Sequence, residues 1–206
     1  MTDYDAARDQ LRQAELELMQ QRESVAALRR GLPPGPEVDD YVFDSPDGPV
    51  KLSELSSAPG RPLVVYHFMF GGTQDAACPM CSMWADGWNA VEHHVAQNID
   101  LVLVTHGTVA ENQQLAAERG WNNLRWLSAT DSSFKVDFGG ADGAGNQMPF
   151  FTVFDVDGEA PRLTYSGGAH ITGEHWRGVD LLSPVWHFLD LTSQGRGDWF
   201  PSLEYP

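Results

Sequence analysis

The sequence contains little positive charge and few cysteines. Its 206 residues carry 13 Lys and Arg against 29 Asp and Glu, which gives a formal net charge of −16 at pH 7. Nucleic acids and anionic membranes bind basic surfaces, so this balance argues against both kinds of partner. Two cysteines do not make the disulfide framework that stabilises small secreted proteins. The two thiols therefore either carry out chemistry or form half of a metal site.

Long apolar segments are also missing. The longest apolar run, residues 63–70, contains His67 and is far too short to cross a bilayer. The N-terminus is polar and acidic from its first residues, unlike a secretory signal peptide. We therefore expect a soluble, cytoplasmic protein. The length suits one domain of ordinary size with some appended structure.

Residues 5–30 are predicted to form one long helix. Its apolar residues follow the 3-4 alternation of a heptad, with Gln21 at the one polar position of the stripe; they are Leu11, Ala14, Leu18, Val25 and Leu28. The stripe either packs on the body of its own domain or forms the seam of a homodimer. Gly31 and a Pro/Gly-rich segment end the helix and form a stiff linker. We therefore divide the chain into residues 1–36 and a main domain, residues 37–206.

The main domain alternates predicted strands and helices. The predicted elements are a β-hairpin around Asp47-Gly48, a strand at 63–70, a helix to about Gln97, a strand at 99–105, a helix at 109–119, a short strand at 124–127, a loop at 131–147, a hairpin at 150–156 and 163–165, and a helix at 179–189. The strands at 63–70 and 99–105 are nearly continuous apolar runs, which are typical of central parallel strands. This order predicts an α/β, thioredoxin-like fold, in which helices flank a mixed central sheet.

The most informative segment is Cys78-Pro79-Met80-Cys81, which follows the strand at 63–70 and a short polar loop and opens a predicted helix. A helix N-terminus stabilises a thiolate through its unpaired backbone N–H groups and the positive end of its dipole. Pro79 suits the first helical turn, and the spacing lets Cys81 reach back to Cys78. The pattern predicts thiol–disulfide chemistry, with Cys78 as the attacking thiol and Cys81 as the resolving thiol.

Two other interpretations of the cysteine pair stay open. In one, both cysteines are buried and behave as small apolar residues. In the other, they form half of a tetrahedral zinc site whose remaining ligands only the fold could bring in; the candidates are His67, His106, His170 and His175. We assign no metal and no bound cofactor, because a lone CxxC is a weak metal signal and thiol exchange needs no cofactor.

Several segments resemble one protein family. They are VYHFMFG at 65–71, CPMCSMWADG at 78–87, YVFD at 41–44 with the Asp-Gly at 47–48, DFG at 137–139 and LDLTSQGRGDW at 189–199. From about residue 40 onward the chain resembles the thioredoxin-like proteins grouped as DUF899, distant relatives of the peroxiredoxins. The resemblance implies a thioredoxin-like fold more directly than it implies an activity.

The resemblance also implies roles for residues outside the cysteine pair. Met148-Pro149 corresponds to the cis-proline element of thioredoxin-like proteins, which faces the cysteines and offers backbone hydrogen bonds to an incoming thiol or peptide. Arg125 is a candidate to stabilise a thiolate, as a peroxiredoxin arginine does. Asp75 stands three residues before Cys78, where peroxiredoxins of this layout carry Thr or Ser. A carboxylate there is expected to raise the pKa of the thiol.

Two further residues are candidates for tuning the pair. His67 lies near the end of its strand, although a histidine in a buried strand is more often a satisfied core residue. Trp84 lies three residues past Cys81 and fits the buried face of the helix.

We expect an oxidoreductase that acts on a small thiol, a peroxide or a protein disulfide and is reduced by thioredoxin or glutathione. A thiol peroxidase and a non-catalytic binding module are the alternatives.

Overall fold

The computed structural model describes residues 2–157, 160–169, 182–193 and 200–203. The chain forms two compact units, Met1–Gly35 and Pro36–Pro206. The first unit contains one helix, α1, Asp3–Arg30. The Thr2 hydroxyl accepts a hydrogen bond from the Asp5 N–H, and the Asp5 carboxylate accepts one from the Thr2 N–H at 2.8 Å, so the helix begins with a capping box. None of the described residues of α1 is buried.

The second unit contains the remaining described elements. In chain order they are β1 (Val42–Ser45), β2 (Gly48–Lys51), β3 (Leu63–Gly71), α2 (Pro79–Val95), β4 (Asp100–His106), α3 (Val109–Arg119), β5 (Arg125–Ser128), α4 (Phe134–Asp137), β6 (Phe150–Asp155), β7 (Arg162–Gly168) and α5 (Val185–Asp190). A single 3-10 turn, Leu52–Glu54, follows β2. The predicted hairpin, the alternation of strands and helices and the second hairpin are all present.

The strands form one mixed sheet in the order β2-β1-β5-β4-β3-β6-β7. Strands β3, β4 and β5 are parallel, whereas the outer strands pair antiparallel with their neighbours. Strand β3 is paired on both sides, by β4 and β6. Its carboxyl end therefore lies in the middle of one sheet edge, and the loop to α2 starts there. The predicted α/β, thioredoxin-like fold is confirmed.

Alternate side chains of β3 enter two separate cores. Tyr66 and Phe68 pack with Trp84 of α2 in the first core. On the other face, Val65 packs in a second core that includes Phe134 of α4. This alternation follows from the two-residue period of a strand. It decides which residues of β3 share a face with the cysteine pair.

Three predicted boundaries differ from the structure. The predicted loop at 131–147 contains the short helix α4, which is only four residues long and is therefore below the length at which helical periodicity is visible. Strand β7 runs on to Gly168, because pairing with β6 continues to Phe150. Helix α5 begins at Val185, not at residue 179. Residues 179–181 of the predicted helix, and Gly158 of the predicted turn, lie outside the described residues.

Candidate active site

Cys78 is positioned by the end of β3 and the start of α2. Gly71 ends the strand with a φ of +74°, and a Cβ at this position would lie 2.1 Å from the backbone N of Gly107. Only glycine fits there, which lets the chain turn tightly. After the loop, the Cys78 N–H donates to the carbonyl of Met69 at 3.1 Å, and the Cys78 carbonyl accepts the Ser82 N–H at 2.9 Å as the N-cap of α2. The sulfur is thereby held at the helix N-terminus.

The two cysteines are free thiols in different environments. Cys78 is partly exposed, whereas Cys81 is fully buried. The Cys81 side chain, followed by the backbone N–H groups of Cys81 and Met80 at the start of α2, lowers the pKa of Cys78 to about 6 despite its partial burial. Burial raises the pKa of Cys81 well above its ordinary value. Near neutral pH the arrangement therefore holds a thiolate at Cys78 and a protonated thiol at Cys81.

Tyr66, on β3, donates a hydrogen bond to Cys81. Its hydroxyl donates to the Cys81 Sγ at 3.1 Å, and its ring is fully buried. Burial raises the pKa of Tyr66 well above its ordinary value, so the phenol stays protonated and can donate. Sequence reasoning missed this contact. Tyr66 lies in the apolar run before the cysteines, and the two-residue period of β3 could have placed it on the face that packs against α2.

Trp84 supports this arrangement from α2. It is fully buried, and its ring packs edge-on against Tyr66 at 6.1 Å between centroids. Trp88 packs against the same tyrosine at 4.8 Å. Trp84 is thus a core residue that contacts Tyr66, as its helical spacing predicts.

His67 lies on the opposite face of the sheet from Tyr66. It is fully buried, its Nε2 pairs with the Thr152 hydroxyl at 3.1 Å, and its ring stacks on Phe134 at 5.0 Å. Burial lowers its pKa well below the ordinary value, so the ring is neutral at pH 7. The suggestion that His67 tunes Cys78 is therefore wrong, because the sheet separates the two side chains.

Arg125 and Asp75 also differ from their predicted roles. Arg125 is exposed at the start of β5, in register with Val102 and hence with Val65 near the amino end of β3. Cys78 follows the carboxyl end of that strand, so Arg125 lies at the other edge of the sheet and does not stabilise the thiolate. Asp75 is exposed beside the site, yet the pKa of Cys78 is lowered. The expected rise is wrong because the Cys81 side chain and the backbone N–H groups at the start of α2 lower the pKa of the thiol.

Met148 and Pro149 lie at the correct edge of the sheet. Phe150 pairs with His67 across β6 and β3, so the two preceding residues reach the carboxyl end of β3. The predicted cis peptide bond is wrong: among the described residues every peptide bond is trans. The Met148 N–H already donates to the Gly140 carbonyl at 3.0 Å, which fixes this segment internally and occupies the donor predicted for a substrate. The Met148 side chain is exposed.

A buried lysine, which no sequence pattern indicates, hydrogen-bonds the end of β3. The Lys135 Nζ donates to the Phe68 carbonyl at 2.7 Å and to the Gln147 Oε1 at 2.6 Å. The Gln147 amide in turn donates to the Gly71 carbonyl at 2.8 Å. Burial lowers the pKa of Lys135 to about 7. Helix α4 and the glycine-rich loop after it therefore hold the strand end from which the cysteine loop departs.

The zinc interpretation finds no donor set in the part of the chain that is described. No group of three or more His, Cys, Asp or Glu side chains is placed there to hold a metal ion. Two of its candidate ligands, His170 and His175, lie outside the described residues.

No helix of the described residues has both the length and the apolar character that a membrane span requires.

The fold is similar to those of solved peroxiredoxin-type proteins. The structure titled peroxidoxin BcpB from Mycobacterium tuberculosis is 21% identical in sequence, with a TM-score of 0.51 over 62% of this chain and 81% of that one. A mutant PrxQ from Xylella fastidiosa is 13% identical, with a TM-score of 0.50 over 66% of this chain and 84% of that one. At these identities the likeness concerns the fold alone.

Comparison with curated protein sequences finds no match. A family model does match, over residues 1–204, and its description is "Bacterial protein of unknown function (DUF899)". The match spans both units of the chain, the N-terminal helix as well as the domain that holds the cysteine pair. The chain therefore belongs to the DUF899 family.

Proposed function

We propose that this protein is a thiol–disulfide oxidoreductase that uses Cys78 and Cys81 as a dithiol–disulfide pair. One observation carries the proposal: the partly exposed Cys78 is the N-cap residue of α2, one helical turn before the fully buried Cys81, whose Sγ accepts a hydrogen bond from Tyr66. The lowered pKa of Cys78 supports the proposal. A thiolate is the nucleophile in disulfide exchange. A second thiol one helical turn away is placed to complete the reaction.

The exchange proceeds in two balanced steps. The Cys78 thiolate attacks one sulfur of a substrate disulfide, which forms a mixed disulfide and expels the other sulfur as a thiolate. Cys81 then loses its proton to that thiolate and attacks the Cys78 sulfur, which releases the second substrate thiolate. The substrate has gained two electrons, and the pair has lost two. The Tyr66 hydroxyl, which donates to the Cys81 Sγ, stabilises the charge that develops on Cys81 in the second step.

The oxidised pair must be reduced again by an external thiol. Thioredoxin or glutathione is the proposed reductant, acting by the same exchange in reverse. The exposed Met148 side chain, at the same sheet edge as the cysteine loop, offers an apolar contact for an incoming substrate. The formal charge of −16 favours substrates that do not carry many negative charges.

A thiol peroxidase is the second candidate. In that reaction Cys78 attacks a peroxide oxygen and becomes a sulfenic acid while an alcohol or water leaves; Cys81 then condenses with it and releases water. The likeness in fold to the Mycobacterium tuberculosis protein titled a peroxidoxin favours this candidate. Disulfide exchange is preferred because Asp75 replaces the hydroxyl side chain that peroxiredoxins of this layout carry near the reactive cysteine.

The rates of the reduced protein with hydrogen peroxide and with oxidised glutathione, each measured under pseudo-first-order conditions, distinguish these functions. We expect exchange with the disulfide, reaction with peroxide no faster than that of an ordinary thiolate, and loss of both in Cys78→Ser. Cys81→Ser should keep the first step and accumulate the glutathione adduct. Faster consumption of peroxide than of disulfide would establish the peroxidase. An unreactive pair with a Cys78 pKa near the free value of about 8.5 would leave only the binding module.

A further inference from the structure

The helix α1 exposes an apolar stripe in the single chain. The exposed fractions are 72% for Tyr4, 48% for Leu11, 53% for Leu18, 72% for Leu28 and 50% for Leu32, just after the helix. Side chains of this size are normally covered when they recur on one helix face. The stripe therefore requires an occupant, and its spacing and charges indicate which one.

The stripe has a seven-residue repeat along the whole helix. Tyr4, Leu11, Leu18 and Val25 occupy one heptad position, which we label a, and Leu32 continues the same spacing just after the helix. The position three residues later, d, holds Ala7, Ala14, Gln21 and Leu28. The repeat spans four heptads over a helix of 28 residues, about 42 Å long. A seven-residue repeat stays on one face only if the helix supercoils around a partner with the same repeat.

We propose that two copies of this chain associate through α1 as a parallel, in-register, two-stranded coiled coil. The charges that flank the stripe support this arrangement. In a parallel pair, Asp3 meets Arg8 of the second copy and Glu17 meets Arg22 of the second copy, which gives four opposite-charge contacts by symmetry. Among the described residues, none of these four side chains has an ion-pair partner within its own chain.

The antiparallel alternative is less favourable. It would place Gln21 against Leu18, where the amide has no polar partner. Its flanks would pair Arg8 with Arg29 of the second copy as well as Glu15 with Arg22, so that repulsion offsets attraction. In the parallel register the two Gln21 side chains face each other and can hydrogen-bond. A single polar seam position of this kind fixes register and orientation in coiled coils. The polar seam position therefore selects the parallel pair, and the flanking charges favour it.

Sedimentation equilibrium of the full chain tests the association. We expect the wild type to have twice the 22.8 kDa mass of one chain, Leu11→Glu with Leu18→Glu to have the mass of one chain, and Leu16→Glu to remain dimeric. Leu16 is the matched control, because it is 41% exposed on the same helix but lies off the stripe. A monomeric wild type, a dimer that survives both stripe substitutions, or equal dissociation by Leu16→Glu would overturn the proposal.

All seven tryptophans lie beyond residue 36, so near-UV circular dichroism reports whether the stripe variant keeps its main domain folded. Should that signal be lost, the orientation test decides instead. Ala7→Cys is made in a chain whose Cys78 and Cys81 are replaced by Ser, and is then oxidised. The parallel register predicts a covalent dimer through residue 7 and little cross-linking for Leu16→Cys in the same background. Failure of Ala7→Cys to cross-link would exclude the parallel, in-register pair.

Discussion

Replacing Tyr66 with Phe removes one hydroxyl and leaves the aromatic packing around it intact. The hydroxyl donates to the Cys81 Sγ at 3.1 Å from a fully buried ring. While Cys81 is a neutral thiol, such a bond contributes about 0.5–1.5 kcal/mol, whereas a hydrogen bond to a charged group contributes about 1.5–3 kcal/mol. In the second step of the proposed reaction, Cys81 acquires negative charge as it attacks Cys78. The difference, about 1.5 kcal/mol, corresponds to a roughly tenfold slower closing of the Cys78–Cys81 disulfide.

Stopped-flow absorbance with an aromatic disulfide that releases a coloured thiolate separates the two steps. The first equivalent of colour reports attack by Cys78, and the second reports displacement by Cys81. Tyr66→Phe should slow the second phase about tenfold and leave the first close to the wild type. Tyr41→Phe is the control, because the Tyr41 hydroxyl donates a hydrogen bond of 2.9 Å to Asp137 and does not contact the cysteine pair. An unchanged second phase in Tyr66→Phe would refute the role of the hydroxyl.

Three further predictions concern the pKa values and packing near the site. Alkylation of Cys78 by iodoacetamide should rise with pH around a midpoint of about 6, and a midpoint above 8 would contradict the geometry. The pKa of Lys135 is about 7 in the folded protein, against an ordinary value of 10.5, so the unfolded chain binds more protons between these two pH values. The free energy of unfolding of the wild type, measured with urea, should therefore rise relative to that of Lys135→Met by up to about 1.4 kcal/mol per pH unit above pH 7. A pH-independent difference would show that the amine is not buried. Gly140→Ala would place a Cβ 2.2 Å from the His67 Nδ1 and should lower the free energy of unfolding by about 1–3 kcal/mol. Gly143→Ala is the control and should change this free energy little, because a Cβ there would meet open space. Equal effects of the two substitutions would contradict the packing.

The sequence was sufficient for the features that depend on local pattern. A continuous apolar run predicted the central strand β3, and Pro79 after a polar loop predicted the start of α2. Because the proposed attacking thiol stands where these two elements meet, Cys78 could be placed from the sequence. The alternation of predicted strands and helices was likewise enough for the fold.

Whether the other candidate residues reach the site depends on strand register and on long-range packing. Arg125 opens a strand parallel to β3, and so enters the sheet at the edge opposite Cys78. His67 and Tyr66 are neighbours in sequence, but the pleat of β3 sends only Tyr66 to the cysteine face. Lys135 reaches the strand end from a four-residue helix with no periodic signal. In each case the local residue type was compatible with several positions, and only the sheet selected one.

The most direct test of the proposed chemistry is mass spectrometry of the intact protein after equilibration in a series of glutathione redox buffers. We expect loss of about two mass units as the Cys78–Cys81 disulfide forms, with full reversal by dithiothreitol. Cys81→Ser in the same series should instead gain one glutathione at Cys78. A wild-type protein that keeps both thiols reduced across the whole series would contradict the assignment of Cys78 and Cys81 as a redox pair.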